Sequence, residues 1–533
     1  MGERNDEVSR LGFELPIQPR DGLFALALAA VVVVVFWPVF GTPYVADDWG
    51  QLYLFATELQ SGGGLLTYLW HGTEDGVFYR PLAVAYIWAS SKLFGLSSLG
   101  YHLAHTALHL GSSLIVAWVA GCLFGSRLLA WSVGTLYASA AVVLLQPLLW
   151  CVGAADLGGA FFALASIALY IGGRRWPSAV AFLVALGFKE SLLAVPLVLI
   201  AVETCLRESG SATVPGLPWL RRMLRLWPYG VVVAFYLLAS GHGSTAAFER
   251  PGSHPYLLIA SGAHVPSHLL QYAGWAFDLV IPVELPGLPG GSWQRAVIAA
   301  LVPLTCLGAL GALVTGVVPR SRALRGHALL ALWIAAMLLL PLMLPNHAYR
   351  YYGIHAVAPF LCGLARLSQL AGRWLLRAPQ LRTASACGLV AASVLFSTMF
   401  VQASVEGRSG WPAVEASYLA TRSRTVRMVV RDLLHAYPVL PENSTLVFAG
   451  VDTGSFGGER GVRLWYPESN AMVYRARDVM RGEQGLQLRE RRHRGKGSGA
   501  HREPKLLDPR TTLFFRAREG HLVELEGAAI QAR

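Results

Sequence analysis

Charge is scarce in this chain. Only 14% of its 533 residues are charged, against about 25% in an ordinary soluble protein. That shortage excludes the three or four soluble domains that the length alone would suggest. Lysine is rarer still, with four copies (Lys92, Lys189, Lys496 and Lys505) among 44 basic residues. Six cysteines occur without any CxxC spacing and lie mostly in apolar segments, which argues for small buried hydrophobes rather than a disulfide or metal framework. The first 22 residues hold five acids and lack the basic start of a signal peptide, and no small-residue cleavage site follows. The apolar run at 23–40 therefore reads as a retained anchor. No internal repeat is visible, which weakens a transporter built from inverted halves.

Long apolar runs are what the chain has in abundance. Besides 23–40 they lie near 101–124, 128–146, 157–172, 177–188, 191–206, 228–241, 295–318, 327–345, 351–371 and 384–402. Each is near the ~20 residues that cross a bilayer, so the chain reads as an all-α polytopic membrane protein with about eleven spans. Residues 177–206 divide into two short helices, because Lys189-Glu190 at the centre of one span would cost several kcal/mol. Arginine placement sets the direction. With the N-terminus inside, the inner turns carry thirteen arginines: Arg127, Arg174, Arg175, Arg207, Arg221, Arg222, Arg225, Arg320, Arg322, Arg325, Arg373, Arg377 and Arg382. The outer segments before residue 402 carry only Arg80, Lys92, Lys189, Arg250, Arg295 and Arg350.

The net charge of +12 divides accordingly. Residues 403–533 hold 21 basic and 15 acidic residues, and the first 402 hold 23 and 17, so each part is +6. An inner face marked by arginine and a basic polar tail explain the charge without nucleic acid. The chain thus divides into a short cytoplasmic segment (1–22), a transmembrane body (23–402) with long outer loops at 41–100 and 242–294, and an extracytoplasmic tail (403–533). In the tail a helix is predicted around 414–437, and strands at 444–450 and 510–516. The basic stretch 489–505 reads as a solvated loop, and the whole as a small α/β domain that helps choose the acceptor.

The remaining charges gather at the outer ends of the spans. Asp47-Asp48-Trp49 follows the first span; a hydrophobic wall and a like charge both raise a carboxylate's pKa and suit it to general-base work, although a solvated loop start has the same composition. Tyr79-Arg80-Pro81-Leu82 opens a short apolar helix at Pro81–Phe94, too short for a span. His102, His105 and His109 share one face of the second span: they line a cavity, hold a metal or pack. No carboxylate in that helix has a matching spacing, which counts against metal. Asp156 follows the third span. Lys189-Glu190 is either functional or a self-neutralising pair at the interface. Arg350 stands among Tyr349, Tyr351 and Tyr352, where its planar fork suits phosphate, or where it snorkels from an aromatic belt. His264 and His268 have metal-like spacing, but Pro266 between them argues against a regular helix.

The order and common side of these motifs resemble the GT-C class of integral-membrane glycosyltransferases, closest to the protein O-mannosyltransferase and bacterial polyprenyl-phosphate-sugar-dependent branch. The resemblance covers roughly residues 23–402 and leaves the tail unexplained. The chain lacks the tetratricopeptide repeats of some relatives and the WWDxG-like motif of oligosaccharyltransferases. The resemblance implies an inverting transfer of a sugar from a polyprenyl-phosphate carrier to an acceptor hydroxyl on a glycan, lipid or protein. In it Asp47 is the catalytic base, with Asp48 as orienter or substitute. Arg350, Lys189, Arg80 and Tyr351 would bind the donor phosphate, and His105, His109, Asp156, Glu190 and Trp49 would line the site. No metal or other cofactor is expected, and no nucleic-acid partner. The expected location is a bacterial inner membrane with the site facing out. A lipid-glycan transporter or flippase, or a non-catalytic envelope-assembly protein, is the alternative; the first would place charges near span centres.

Overall fold

A computed structural model describes residues 19–57, 65–67, 69, 79–206, 223–244, 257–259, 262–277, 322–375, 378–406, 418–482, 485–488 and 506–525. The Leu, Ala and Val run after Asp21 forms helix α1 (Pro19–Phe36), continued by a 3-10 turn at Trp37–Gly41. One side of α1 is buried through Leu28, Val32, Val35 and Phe36, while Leu23, Leu26 and Val34 stay exposed. Apolar groups left on the outside of a bundle are what contact with lipid, in place of water, allows. The segment after the first helix adds α2 (Asp47–Thr57) and α3 (Pro81–Phe94). The short apolar helix expected at Pro81 is thus present, with Pro81 at the first helical position, where its missing N–H costs nothing.

The bundle continues with α4 (Ser98–Phe124), α5 (Arg127–Ala138), α6 (Ala141–Leu149), α7 (Ala154–Ile171), α8 (Arg175–Phe188) and α9 (Val195–Cys205). The apolar run at 128–146 is not one straight helix, since α5 and α6 meet at a bend of 49°. The division at Lys189-Glu190 is observed, with a 3-10 turn at Glu190–Ala194 between α8 and α9. Then follow α10 (Trp227–Ser244), α11 (His264–Phe277), α12 (Arg322–Leu342), α13 (Ile354–Leu375) and α14 (Pro379–Glu406). The doubt over Pro266 is corrected: it lies in the first turn of α11, where no intrahelical N–H donor is required.

Five helices of the described residues are long and apolar enough to cross a membrane, or six with the bent α5–α6 pair. The expected spans at 177–188, 191–206, 228–241 and 351–371 are shorter or less apolar helices by that measure, and 295–318 lies outside the described residues. Asp21 on α1 pairs with Arg127 at the start of α5, 3.6 Å apart, so both mark one end of the bundle.

The tail opens with α15 (Tyr418–Ala436), whose apolar face is buried through Val426, Val429 and Leu433. A four-stranded sheet follows in the order β2-β1-β5-β6, from β1 (Thr445–Ala449), β2 (Met472–Arg475), β5 (Thr512–Arg518) and β6 (His521–Leu525). The strand β1 is central and parallel to both neighbours, and β5 and β6 form an antiparallel hairpin. A two-stranded ribbon of β3 (Val479–Gly482) and β4 (Gly485–Leu488) stands apart, and helix α16 (Glu459–Trp465) precedes β2. The protein is therefore a polytopic helical membrane protein with a small C-terminal α/β domain. The basic stretch 489–505 lies outside the described residues.

Two cores result. One fills the helical bundle; the other joins α2 and neighbouring outer-loop residues (Tyr44, Trp49, Leu52, Phe55) to the C-terminal domain (Leu419, Val426, Phe448, Phe456, Val462). The turn at Cys151–Gly153 between α6 and α7 lies against this second core. A Cβ at Gly153 would lie against the backbone of Pro147, 2.7 Å from its Cα. Gly153→Ala is expected to lower stability by roughly 1–3 kcal/mol, read as a fall in the thermal midpoint of the purified protein; an unchanged midpoint would show that the turn yields.

Candidate active site

The two carboxylates after the first span have different surroundings. Asp48 is fully buried, and its Oδ2 accepts the Val45 N–H at 3.0 Å while Oδ1 accepts the Val152 N–H at 3.1 Å. It fastens the start of α2 to the α6–α7 turn. Burial pushes its pKa up to about 7, against the opposing pull of the Val45, Cys151 and Val152 N–H groups. Asp47 is exposed to solvent. Desolvation by the surrounding protein raises its pKa, and the Arg422 guanidinium from α15 opposes that rise. The preceding residue, Ala46, has φ +53°, a left-handed conformation that costs a residue with a Cβ roughly 1–2 kcal/mol. Its N–H donates to the Ser455 carbonyl of the C-terminal domain at 2.8 Å.

Trp49 is buried, and its indole N–H donates to the Tyr44 carbonyl at 3.0 Å. Its ring meets Trp465 edge to face, with centroids 5.1 Å apart. Expected as a site-lining residue, it is found as a contact between α2 and the C-terminal domain.

From the α6–α7 turn the site extends across the same end of the bundle. The Trp150 ring lies against Tyr351 at 6.2 Å. Tyr351 and Tyr352, in the 3-10 turn Arg350–Gly353, present their rings to the Lys189 ammonium at 5.3 and 4.8 Å. Lys189 is buried and hydrogen-bonded to Asp156. Arg80 forms a fork with Glu190, Nε to Oε2 and Nη2 to Oε1, each at 2.6 Å. Burial alone would raise the Glu190 pKa, but the Arg80 guanidinium holds it below the ordinary carboxylate range. Four charges are thereby matched two by two, and breaking a buried pair such as Lys189–Asp156 costs about 3–5 kcal/mol.

Arg350 stands outside this quartet. Its guanidinium lies 5.9 Å from the Trp275 ring of α11 and on the lining of a cavity of about 310 Å³. The walls come from α11, α12 and α13, including Leu269, Tyr272, Ile334, Val357 and Phe360, and are almost wholly apolar. A cation on the wall of an apolar cavity between helices suits an amphiphile with an anionic head.

The histidines of α4 face inward. His102 bonds to the Leu148 carbonyl at 2.9 Å, His109 to the Ala138 carbonyl at 2.9 Å, and His105 stacks on Tyr86 at 5.8 Å. His109 also packs against Phe36 and Tyr137. His264 and His268 lie ring to ring at 5.8 Å. Among the described residues no group of three or more His, Cys, Asp or Glu could hold a metal ion.

The structure therefore brings Asp47, Asp48, Arg80, Asp156, Lys189, Glu190, Arg350 and Tyr351 to one end of the bundle. Sequence reasoning missed Trp275, Arg422 and Trp465, which join the site from other elements. An aromatic in the loop 242–294 was the one signal for Trp275; Arg422 carries none, because α15 has several arginines and only packing singles one out, and Trp465 carries none because its partner Trp49 is distant in sequence.

No family profile matches the chain, and no curated protein matches it in sequence. Among solved structures it is similar to ArnT from Cupriavidus metallidurans at 15% identity. The TM-score is 0.44 for the apo state and 0.45 for the state bound to undecaprenyl phosphate, over 86% and 85% of this chain and 86% of that one. It is also similar to the archaeal oligosaccharyltransferase AglB from Archaeoglobus fulgidus, in complex with an inhibitory peptide and a dolichol-phosphate. There the identity is 12% and the TM-score 0.44, over 85% of this chain and 64% of that one. Arabinosyltransferase EmbB from Mycobacterium smegmatis is similar at 15% identity and a TM-score of 0.34, over 80% of this chain and 42% of that one.

The pKa of Asp48 gives a stability test. Raised from 3.8 to about 7 in the folded state, the group binds its proton more tightly folded than unfolded between those values, so its contribution to stability falls as pH rises from about 4 to about 7. Asp48→Asn is expected to flatten that slope in thermal midpoints measured across the interval. An unaltered slope would place the titration elsewhere.

Proposed function

We propose that this protein is an inverting glycosyltransferase that moves a sugar from a polyprenyl-phosphate carrier to an acceptor hydroxyl at the extracytoplasmic face of a bacterial inner membrane. The observation that carries this reading is an exposed, desolvated carboxylate, Asp47, at the same end of the bundle as an apolar cavity with Arg350 on its wall. An isoprenoid chain suits the cavity, and its phosphate suits the guanidinium. The arginine-rich turns expected at the other end support an outward-facing site. Nucleotide sugars do not cross a bilayer, so a donor at the outer face must be carried by a membrane lipid.

In the proposed step Asp47 accepts the proton of the acceptor hydroxyl as its oxygen attacks the anomeric carbon. The bond from that carbon to the carrier phosphate breaks on the opposite face, which inverts the centre. Arg350 stabilises the charge that develops on the leaving phosphate. Tyr351, Lys189 and Arg80 support it at the donor side; Lys189 and Arg80 are engaged by Asp156 and Glu190, so they act by holding the floor of the site and its field. Asp48 positions Asp47 through the backbone. In this reading His105, His109 and Trp49 line the site. No step requires a metal or another cofactor.

A flippase would need charges along a path through the bundle, whereas these charges cluster at one end. Asp47→Asn should lower sugar transfer from labelled polyprenyl-phosphate sugars in isolated membranes by about 10²–10⁴-fold; transfer at the wild-type rate would sink the base assignment. Arg350→Ala should weaken donor binding, seen as a raised donor KM, and an unchanged donor KM would make it only an interfacial anchor.

A further inference from the structure

The C-terminal domain touches the site at the residues next to the base. Asp452 accepts the Gly454 N–H at 3.2 Å and ion-pairs with Arg422 and Arg475, each at 3.1 Å. Arg475 also donates to the Thr453 hydroxyl at 3.0 Å. These bonds hold rigid the 3-10 turn Thr453–Phe456, whose Ser455 carbonyl takes the Ala46 N–H. Gly457, next in the chain, has φ +70°, and a Cβ there would run into the Trp49 Cβ. Trp465 closes the other side of Trp49 and lies 5.9 Å from Phe456. The left-handed Ala46 is thus held from outside its own loop, between the Asp48 anchor on the membrane side and the turn of the C-terminal domain on the other.

We propose that the C-terminal domain is a positioning part of the active site: its Ser455 carbonyl, Gly457 and Trp465 fix Ala46 and Trp49, and through them the direction of the Asp47 carboxylate. The chain from Asp452 to Asp47 runs through bonded or packed neighbours without a gap. A domain serving only to select acceptors has no need to hold the backbone on both sides of the base. This inference rests on Asp47 as the base; Ser455, Gly457 and Trp465 are positioning residues that do not touch the reacting atoms.

The test compares Gly457→Ala, Trp465→Ala and Trp465→Phe in the full-length protein in membranes. Transfer from labelled polyprenyl-phosphate sugars gives turnover, and binding of undecaprenyl phosphate alone reports the donor site. Gly457→Ala and Trp465→Ala are expected to lower kcat by about 10–100-fold and to leave undecaprenyl-phosphate binding unchanged, because the Arg350 cavity is built from other helices. Trp465→Phe, which keeps an aromatic against Trp49, should recover most of the turnover. Wild-type turnover in both disruptive variants overturns the proposal, and so does a loss of carrier binding in step with turnover. Asp47→Asn run alongside separates the two readings. If it transfers normally, the base assignment has failed; if it is inactive while Gly457→Ala and Trp465→Ala both turn over at the wild-type rate, only the positioning inference has.

Discussion

The buried carboxylate of Asp48 fastens together parts of the chain that are far apart in sequence. Its two oxygens accept backbone N–H groups from Val45 and Val152, so the loop leaving the first helix is tied to the turn before α7. An unpaired buried carboxylate would be costly; two N–H partners make its burial tolerable and fix its geometry. Once that tie is made, the remaining parts of the site have a common reference. Asp156 lies in the first turn of the helix that begins just after the tie, and Asp156 holds Lys189. Lys189 in turn faces the tyrosines next to Arg350.

Neighbouring positions on a helix point about 100° apart, and this separates two like residues into two roles. Asp48 turns inward and is consumed by the backbone, while Asp47 turns toward solvent and Arg422. The lysine and arginine of the outer turns are engaged in the same way. Arg80 with Glu190 and Lys189 with Asp156 form a neutral quartet beneath the site, and Arg350 lies outside it on the cavity wall. Charges that look equivalent in composition thus have different surroundings: two buried or half-buried pairs, and an arginine beside Trp275 on the cavity wall.

The second hydrophobic core gives the C-terminal domain its place. Leu52 and Phe55 of α2 share that core with Val426, Phe448 and Val462, so α2 packs against the C-terminal domain. Segments that meet over some four hundred residues have a large loop-closure entropy to overcome. The aromatic contacts of Trp49, Trp465 and Phe456 supply packing at that junction.

The sequence by itself determined the membrane character, the break at Lys189-Glu190, the short helix at Pro81 and the strand at 445–449. Each of these follows from local apolar runs, the cost of charge in hydrocarbon, or proline geometry. It also determined which charges gather at one end of the bundle, because charge in an apolar chain is conspicuous. Pro266 misled, since its effect depends on where the helix begins. Which of Asp47 and Asp48 stays open, whether Lys189 and Arg80 are available, and what Trp49 touches were decided by tertiary structure alone. Those outcomes depend on partners such as Val152, Asp156, Glu190 and Trp465, brought close only when the bundle and the C-terminal domain pack together.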